Sequence, residues 1–189
     1  GQLARIQTGI AKNSKQIEDA IVVPYLRVAN VQDGYLDLTE IKTIEIPKSK
    51  FSRYLLQKGD VLMNEGGDFD KLGRGTVWQD EIADCVHQNH VFAVRPDQTI
   101  LISEYLKFVA GSEYGKRYFI DNSKQSTNLA SINSTQLKEM PIPLASLAEQ
   151  KSIIMNLKSI ESLVEVRQKK LSQTQSLKKS LMQDLLTGK

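Results

Sequence analysis

The sequence predicts an α+β protein, with a mainly-β globular part carrying a few helices over residues 1–145 and a long C-terminal helix over residues 146–189. Three observations predict it. As far as Arg95, apolar residues come in short β-branched or alternating runs cut by Gly, Pro and Asp. Beyond Ser103 the apolar spacing lengthens to three and four residues, the period of a helix. From Leu144 to Thr187 there is neither proline nor glycine.

The strands follow in order. Ile21 to Val28 is β-branched and aromatic-rich, and Leu36 to Ile46 alternates between the Asp33-Gly34 turn and Pro47. Asp60 to Met63 follows a turn at Lys58-Gly59, and Thr76–Trp78 and Val91–Val94 are two more short strands. Leu101, Tyr105, Phe108, Val109 and Tyr118-Phe119 place helix from about Ser103, interrupted or extended past Gly111, and Ser134 to Glu139 adds a helical turn. Pro141 and Pro143 then forbid helix. Ser146 and Glu149 have the spacing of a capping box, which opens a helix of roughly 60 Å at ~1.5 Å per residue.

Composition narrows the function classes. With 189 residues, 40% hydrophobic and 25% charged, the chain can bury a core. No apolar run approaches the ~18 residues of a membrane span, and no basic-then-apolar leader is seen. The single cysteine, Cys85, excludes an internal disulfide and fits a reducing, cytoplasmic location. Residues 146–189 carry eight Lys/Arg against four Asp/Glu, whereas residues 1–145 carry seventeen against eighteen. The globular part is therefore no uniformly basic nucleic-acid binder, and a DNA footprint on it must be local.

Enzyme motifs fail on inspection. Gly111-Ser112-Glu113-Tyr114-Gly115-Lys116-Arg117 is one residue short of a phosphate loop between its glycines, and no Ser or Thr follows the Lys to hold magnesium. Gly73-Arg74-Gly75 stands alone, and neither an Asn-Pro-Pro-aromatic motif nor a glycine-rich methyl-donor loop occurs. Cys85 and His87 would share a face of a strand and could begin a zinc site, but no second Cys/His pair completes it. Glu65, Asp68, Asp70 and Lys71, with Glu40-Ile41-Lys42 elsewhere, have the residue types of a magnesium nuclease. The plainer expectation for both groups is hydrogen-bonded polar segments and solvated charges.

The helix has its own pattern. Leu157, Ile160, Val164, Leu171, Leu181 and Leu185 fall on one face at steps of three, four, seven and ten, interrupted by Arg167, Thr174 and Lys178. This predicts an antiparallel or short coiled-coil spacer made with a partner helix. An amphipathic helix packed partly on its own domain is the alternative.

Taken together, the motifs carry a resemblance. The order Gly1-Gln2-Leu3-Ala4-Arg5-Ile6-Gln7-Thr8-Gly9, Pro24-Tyr25-Leu26-Arg27-Val28-Ala29-Asn30-Val31 and Lys58-Gly59-Asp60-Val61-Leu62 opens it. Gly73-Arg74-Gly75, Gln88-Asn89-His90-Val91-Phe92-Ala93-Val94-Arg95-Pro96 and Gln125-Ser126-Thr127-Asn128-Leu129-Ala130-Ser131-Ile132-Asn133 follow. Met140-Pro141-Ile142-Pro143-Leu144, Glu149-Gln150 and Leu181-Met182-Gln183-Asp184-Leu185-Leu186-Thr187-Gly188-Lys189 complete it. In that order and spacing the chain resembles the specificity subunit of Type I restriction–modification systems over essentially its whole length.

The resemblance implies a target recognition domain joined to a helical spacer region. It implies a non-catalytic subunit that reads one half of a split site in double-stranded DNA and scaffolds a methylation subunit and a restriction and translocation subunit. S-adenosylmethionine, ATP and magnesium would belong to those partners, leaving this chain without a cofactor. The family's full subunit has two such units where this sequence has one, so the sequence is a piece of a longer subunit or a half-length subunit that restores the pair by homodimerising. A twofold dimer would read a palindromic split site. The rival reading is a coiled-coil interaction adaptor with no DNA readout.

Base readers need side chains that donate to and accept from base edges. The glycine-rich loop 66–75 offers Lys71 and Arg74, the segment before the last strand offers Gln88, Asn89 and His90, and a third segment offers Lys124, Gln125, Ser126, Thr127 and Asn128. For each, the bland alternative is a solvated turn.

Overall fold

β-Branched runs too short to bury themselves pair into three small sheets in the computed structural model, which describes residues 1–12, 17, 19–69, 72–127 and 129–188. Its strands are β1 (Ala4–Thr8), β2 (Ala20–Leu26), β3 (Lys42–Pro47), β4 (Val61–Asn64) and β5 (Gly66–Gly67), then β6 (Gly75–Val77), β7 (Val86–His87), β8 (Val91–Pro96), β9 (Lys124–Gln125) and β10 (Ala130–Ser131). Its helices are α1 (Phe51–Tyr54), α2 (Ser103–Gly111), α3 (Glu113–Asn122), α4 (Ser134–Glu139) and α5 (Leu147–Thr187). The chain divides into two compact units, Gly1–Gln150 and Lys151–Lys189.

The central sheet has the order β1-β8-β4-β6 and is antiparallel throughout. All four side chains of β4 are buried, as a strand covered on both faces requires. Leu62, Val91 and Ala93 pack there with Leu26, Val31, Leu56, Trp78 and Cys85. A second sheet, β3-β2-β7, pairs β2 antiparallel with β3 and parallel with β7, and buries Val23, Tyr25, Ile46 and Val86. The third sheet, β5-β10-β9, is small and antiparallel.

One predicted element is shorter than expected. The alternating run from Leu36 to Ile46 is a strand only from Lys42, with Leu36 in an isolated bridge to Val31. Side chains compete for the intervening backbone. Asp37 Oδ1 accepts from the Thr39 N–H, and Asn30 Nδ2 donates to the carbonyls of Asp37 and Glu40. Leu36, Leu38 and Ile41 then all pack against one core cluster instead of alternating across a sheet.

The helical half follows its sequence signals. Helix breaks at Ser112, whose hydroxyl accepts the Gly115 N–H and caps α3. The phosphate-loop-like stretch is thus the junction of two helices. Asn133 and Gln136 close a capping box on α4. At the start of α5 the Ser146 hydroxyl accepts from the Glu149 N–H at 3.3 Å. The fully buried Gln150 ties that first turn down: its Oε1 accepts from the Ile102 N–H, and its Nε2 donates to the carbonyls of Ile100 and Ala145.

An ion pair between a buried carboxylate and a half-buried guanidinium braces the central sheet. Asp60 is fully buried and accepts a two-pronged pair of bonds from Arg95, Nε at 2.6 Å and Nη2 at 2.8 Å, while its Oδ2 also takes the Gln57 N–H. The same carboxylate raises the Arg95 pKa.

Candidate nucleic-acid interface

The third sheet gathers what the sequence scatters. Gly66 and Gly67 in β5 pair with Ser131 and Ala130 in β10, whose other edge pairs with Lys124 and Gln125 in β9. Gly66 permits that approach, because a Cβ there would lie 2.7 Å from the Ala130 carbonyl oxygen. Immediately before β5, Glu65 takes the Gln88-Asn89-His90 segment in hand. Its N–H donates to the His90 carbonyl, its carbonyl accepts the Ile132 N–H, and its carboxylate lies 2.6 Å from His90 Nδ1. Segments near positions 65, 90 and 125 therefore meet around one pair of glycines.

The predicted readers differ in what holds them. Lys124, Gln125, Ser126 and Thr127 are exposed on β9 and the turn after it. Gln125 Nε2 donates to the Ile120 carbonyl, and the Ser126 N–H and hydroxyl both donate to Leu129. His90 is exposed, and Asn89 is half-buried with its Nδ2 3.2 Å from His90 Nε2. Gln88 braces the fold, its Oε1 accepting the Val28 N–H. Arg74 is half-buried and its Nη1 donates to Gln32 Oε1 at 3.1 Å. Lys71 and Asn128 lie outside the described residues.

Gly73, beside Arg74, has φ +71, and a Cβ there would stand 2.2 Å from the Phe119 ring. The glycine-rich loop is thus shaped partly by the packing of α3. Exposed Phe69 and Leu129 add apolar surface to the loops beside the small sheet, which the polar residues of these segments do not signal. Glu65 was legible only as a carboxylate among others, because its pairing with His90 spans 25 residues.

Neither residue group weighed as a metal site is assembled among the described residues, which do not include Asp70 and Lys71. Cys85 and His87 are both buried, and among the described residues no three His, Cys, Asp or Glu side chains stand together as metal ligands. Burial pushes the Cys85 thiol up to about 12. It also lowers His87 to about 4, with Nδ1 bonded to the Val91 carbonyl at 2.7 Å. A thiol and an imidazole so held are core groups. Of the residues with the types of a nuclease, Glu65 is spent on His90, and Glu40 accepts from Arg27 with Lys42 alongside.

Within α5, Leu157 is half-buried and Ile160, Val164, Leu171, Leu181 and Leu185 are exposed. Leu163, Val166, Leu177, Met182 and Leu186 widen the exposed apolar surface. Of the polar residues interrupting the seam, Thr174 satisfies its hydroxyl on its own helix, donating to the Lys170 carbonyl at 2.8 Å. No helix among the described residues is long and apolar enough to cross a membrane.

A model of the Type I restriction modification DNA specificity domain matches residues 1–175. The MjaVIII specificity subunit of a type I restriction enzyme from Methanocaldococcus jannaschii is 36% identical over 171 residues, covering 88% of this chain and 40% of that subunit. Among solved structures, a chain from a type I R-M system matches with a TM-score of 0.68 at 20% identity, over 95% of this chain and 41% of that one. The HsdS subunit from Thermoanaerobacter tengcongensis matches with a TM-score of 0.60 at 16% identity, over 79% of this chain and 38% of that one. The chain spans about two fifths of the length of the curated relatives it matches.

Proposed function

The chain belongs to the Type I restriction modification DNA specificity domain family, and from that premise we propose that it is a non-catalytic DNA reader that recognises one half of a split double-stranded site. The observation that carries this is the convergence of three polar segments on the β5-β10-β9 sheet, around glycines that permit close backbone approach. A near-neutral globule needs such a local site, because its net charge gives phosphates no uniform attraction. Lys124, Gln125, Ser126, Thr127 and Asn89 are the reading set, with His90 beside Asn89 to hold it, and Lys71 and Asn128, outside the described residues, remain candidates from the sequence alone. Gln88 and Arg74 support the shape.

In this proposal residues 1–145 recognise the target, and residues 146–189 form an antiparallel coiled-coil spacer through Leu157, Ile160, Val164, Leu171, Leu181 and Leu185. The exposed apolar seam of α5 supports that division. Homodimerisation through the helix supplies the second half-site if no second unit is present in the same chain. A methylation subunit and a restriction and translocation subunit assemble around it in the cytoplasm, bringing S-adenosylmethionine, ATP and magnesium. This chain holds none of these.

The test is duplex binding by the full chain with its methylation subunit, against a randomised library and across a salt series. A selected motif whose affinity falls steeply as salt rises is expected. Salt-insensitive association with no selected motif would favour the adaptor and sink the reading.

A further inference from the structure

We propose that Glu65 and His90 form a relay that fixes the side-chain amide of Asn89, making Asn89 an adenine reader and Glu65 and His90 its positioning residues; this rests on the DNA-reading role given above. Two short contacts in series carry it. Glu65 Oε2 lies 2.6 Å from His90 Nδ1, and His90 Nε2 lies 3.2 Å from Asn89 Nδ2. A carboxylate only accepts, so the imidazole proton facing it sits on Nδ1. In the neutral imidazole, the state we assign to His90, Nε2 keeps its lone pair and accepts one hydrogen of the Asn89 amide. That settles which way the amide faces, a choice an unaided Asn side chain leaves open.

The chemistry of an adenine edge gives the orientation its meaning. Adenine presents N7 as acceptor and N6–H as donor in the major groove, and an Asn amide meets both only with its N–H and oxygen in the right order. With one amide hydrogen held by His90, the other hydrogen and Oδ1 make that ordered pair. The anchor is firm at its far end. Glu65 is fixed on both backbone sides, through the His90 carbonyl and the Ile132 N–H, so its carboxylate leaves from a pinned position. His90 is exposed and Asn89 half-buried, so the relay reaches solvent at His90 and in part at Asn89. The carboxylate also stands where reading residues gather, although negative charge repels phosphate. Its role there is to orient His90.

The experiment is motif selection from a randomised duplex library by the full chain with its methylation subunit, comparing wild type with Asn89→Ala, Glu65→Ala, His90→Leu and His90→Gln. Asn89→Ala is expected to lower the preference for adenine at one position by about tenfold or more, as loss of a bidentate pair does. Glu65→Ala and His90→Leu should flatten that same position and leave the others intact. His90→Gln should restore it, because Gln also pairs a donor for Glu65 with an acceptor for Asn89. Retained adenine preference in Glu65→Ala and His90→Leu overturns the relay alone. So does a uniform loss at every position, or failure of His90→Gln to rescue. Absence of any wild-type motif overturns both the relay and the DNA-reading role.

Discussion

Strand β4 hides all four of its side chains, whereas α5 keeps Ile160, Val164, Leu171 and Leu185 in solvent. The first region packs its apolar side chains within the chain, and the buried Asp60 just before it is matched by Arg95. The second has its backbone satisfied by its own helical hydrogen bonds and its apolar face satisfied by nothing in its own unit. A helix can hold this state because its hydrogen bonds are internal, but the exposed leucines remain an invitation to associate. Stability in the globule should therefore be intrinsic, and stability of the helical seam should depend on concentration or partner.

The hardest way to break that contrast is at Asp60. Asp60→Ala leaves Arg95 without its counter-charge and the Gln57 N–H without its acceptor, and should lower stability by about 3 kcal/mol or more. Urea denaturation measures it, and a loss below ~1 kcal/mol would show that the pair is dispensable.

Acid probes the same core through His87. Its folded pKa, lowered to about 4 from 6.5, means the unfolded state binds the proton more readily. Stability from this group is fully present above pH 6.5 and is lost as pH falls toward 4, by about 3 kcal/mol at ~1.4 kcal/mol per unit. Asp37 and Asp97 are also lowered, by their bonds to Thr39 and Thr99, but from 3.8, so their contribution disappears at still lower pH. A stability profile flat between pH 6.5 and 4 would contradict the buried neutral imidazole.

The helix calls for the opposite outcome. Leu171→Glu should weaken association by about 2 kcal/mol for each buried leucine lost while leaving the unfolding midpoint of the globule unchanged. Sedimentation and denaturation together read this, and a fall in the globule's midpoint would show that the seam is not for a partner. Smallest of all, Thr174→Leu should tighten association by roughly 0.5–1 kcal/mol, because Thr174 now spends its hydroxyl on its own helix. No gain in association would remove Thr174 from the contact face.

Local signals made much of this fold legible. Pro141 and Pro143 with Ser146 marked the start of α5, and the short runs near Ile21, Val61, Thr76 and Val91 became β2, β4, β6 and β8. The run from Leu36 failed because its alternation did not reveal that Asn30 and Asp37 would take the backbone for themselves. The candidate site was legible as three polar segments but not as one place. Joining them takes Gly66 opposite Ser131 and Glu65 beside His90, contacts between residues far apart in the sequence that no local pattern encodes. The relay to Asn89 was invisible for the same reason.

The central claim is that the globule reads bases while the helix sets the distance between two readings. It is tested most directly by mapping methylated sites in cells that express this chain with its methylation subunit, before and after insertion of one helical turn into α5. The expected result is a split site whose half-site bases are unchanged while the unread gap grows by roughly one or two base pairs, from ~5.4 Å of helix against ~3.4 Å per base pair. An unchanged gap, or altered half-site bases, would contradict it.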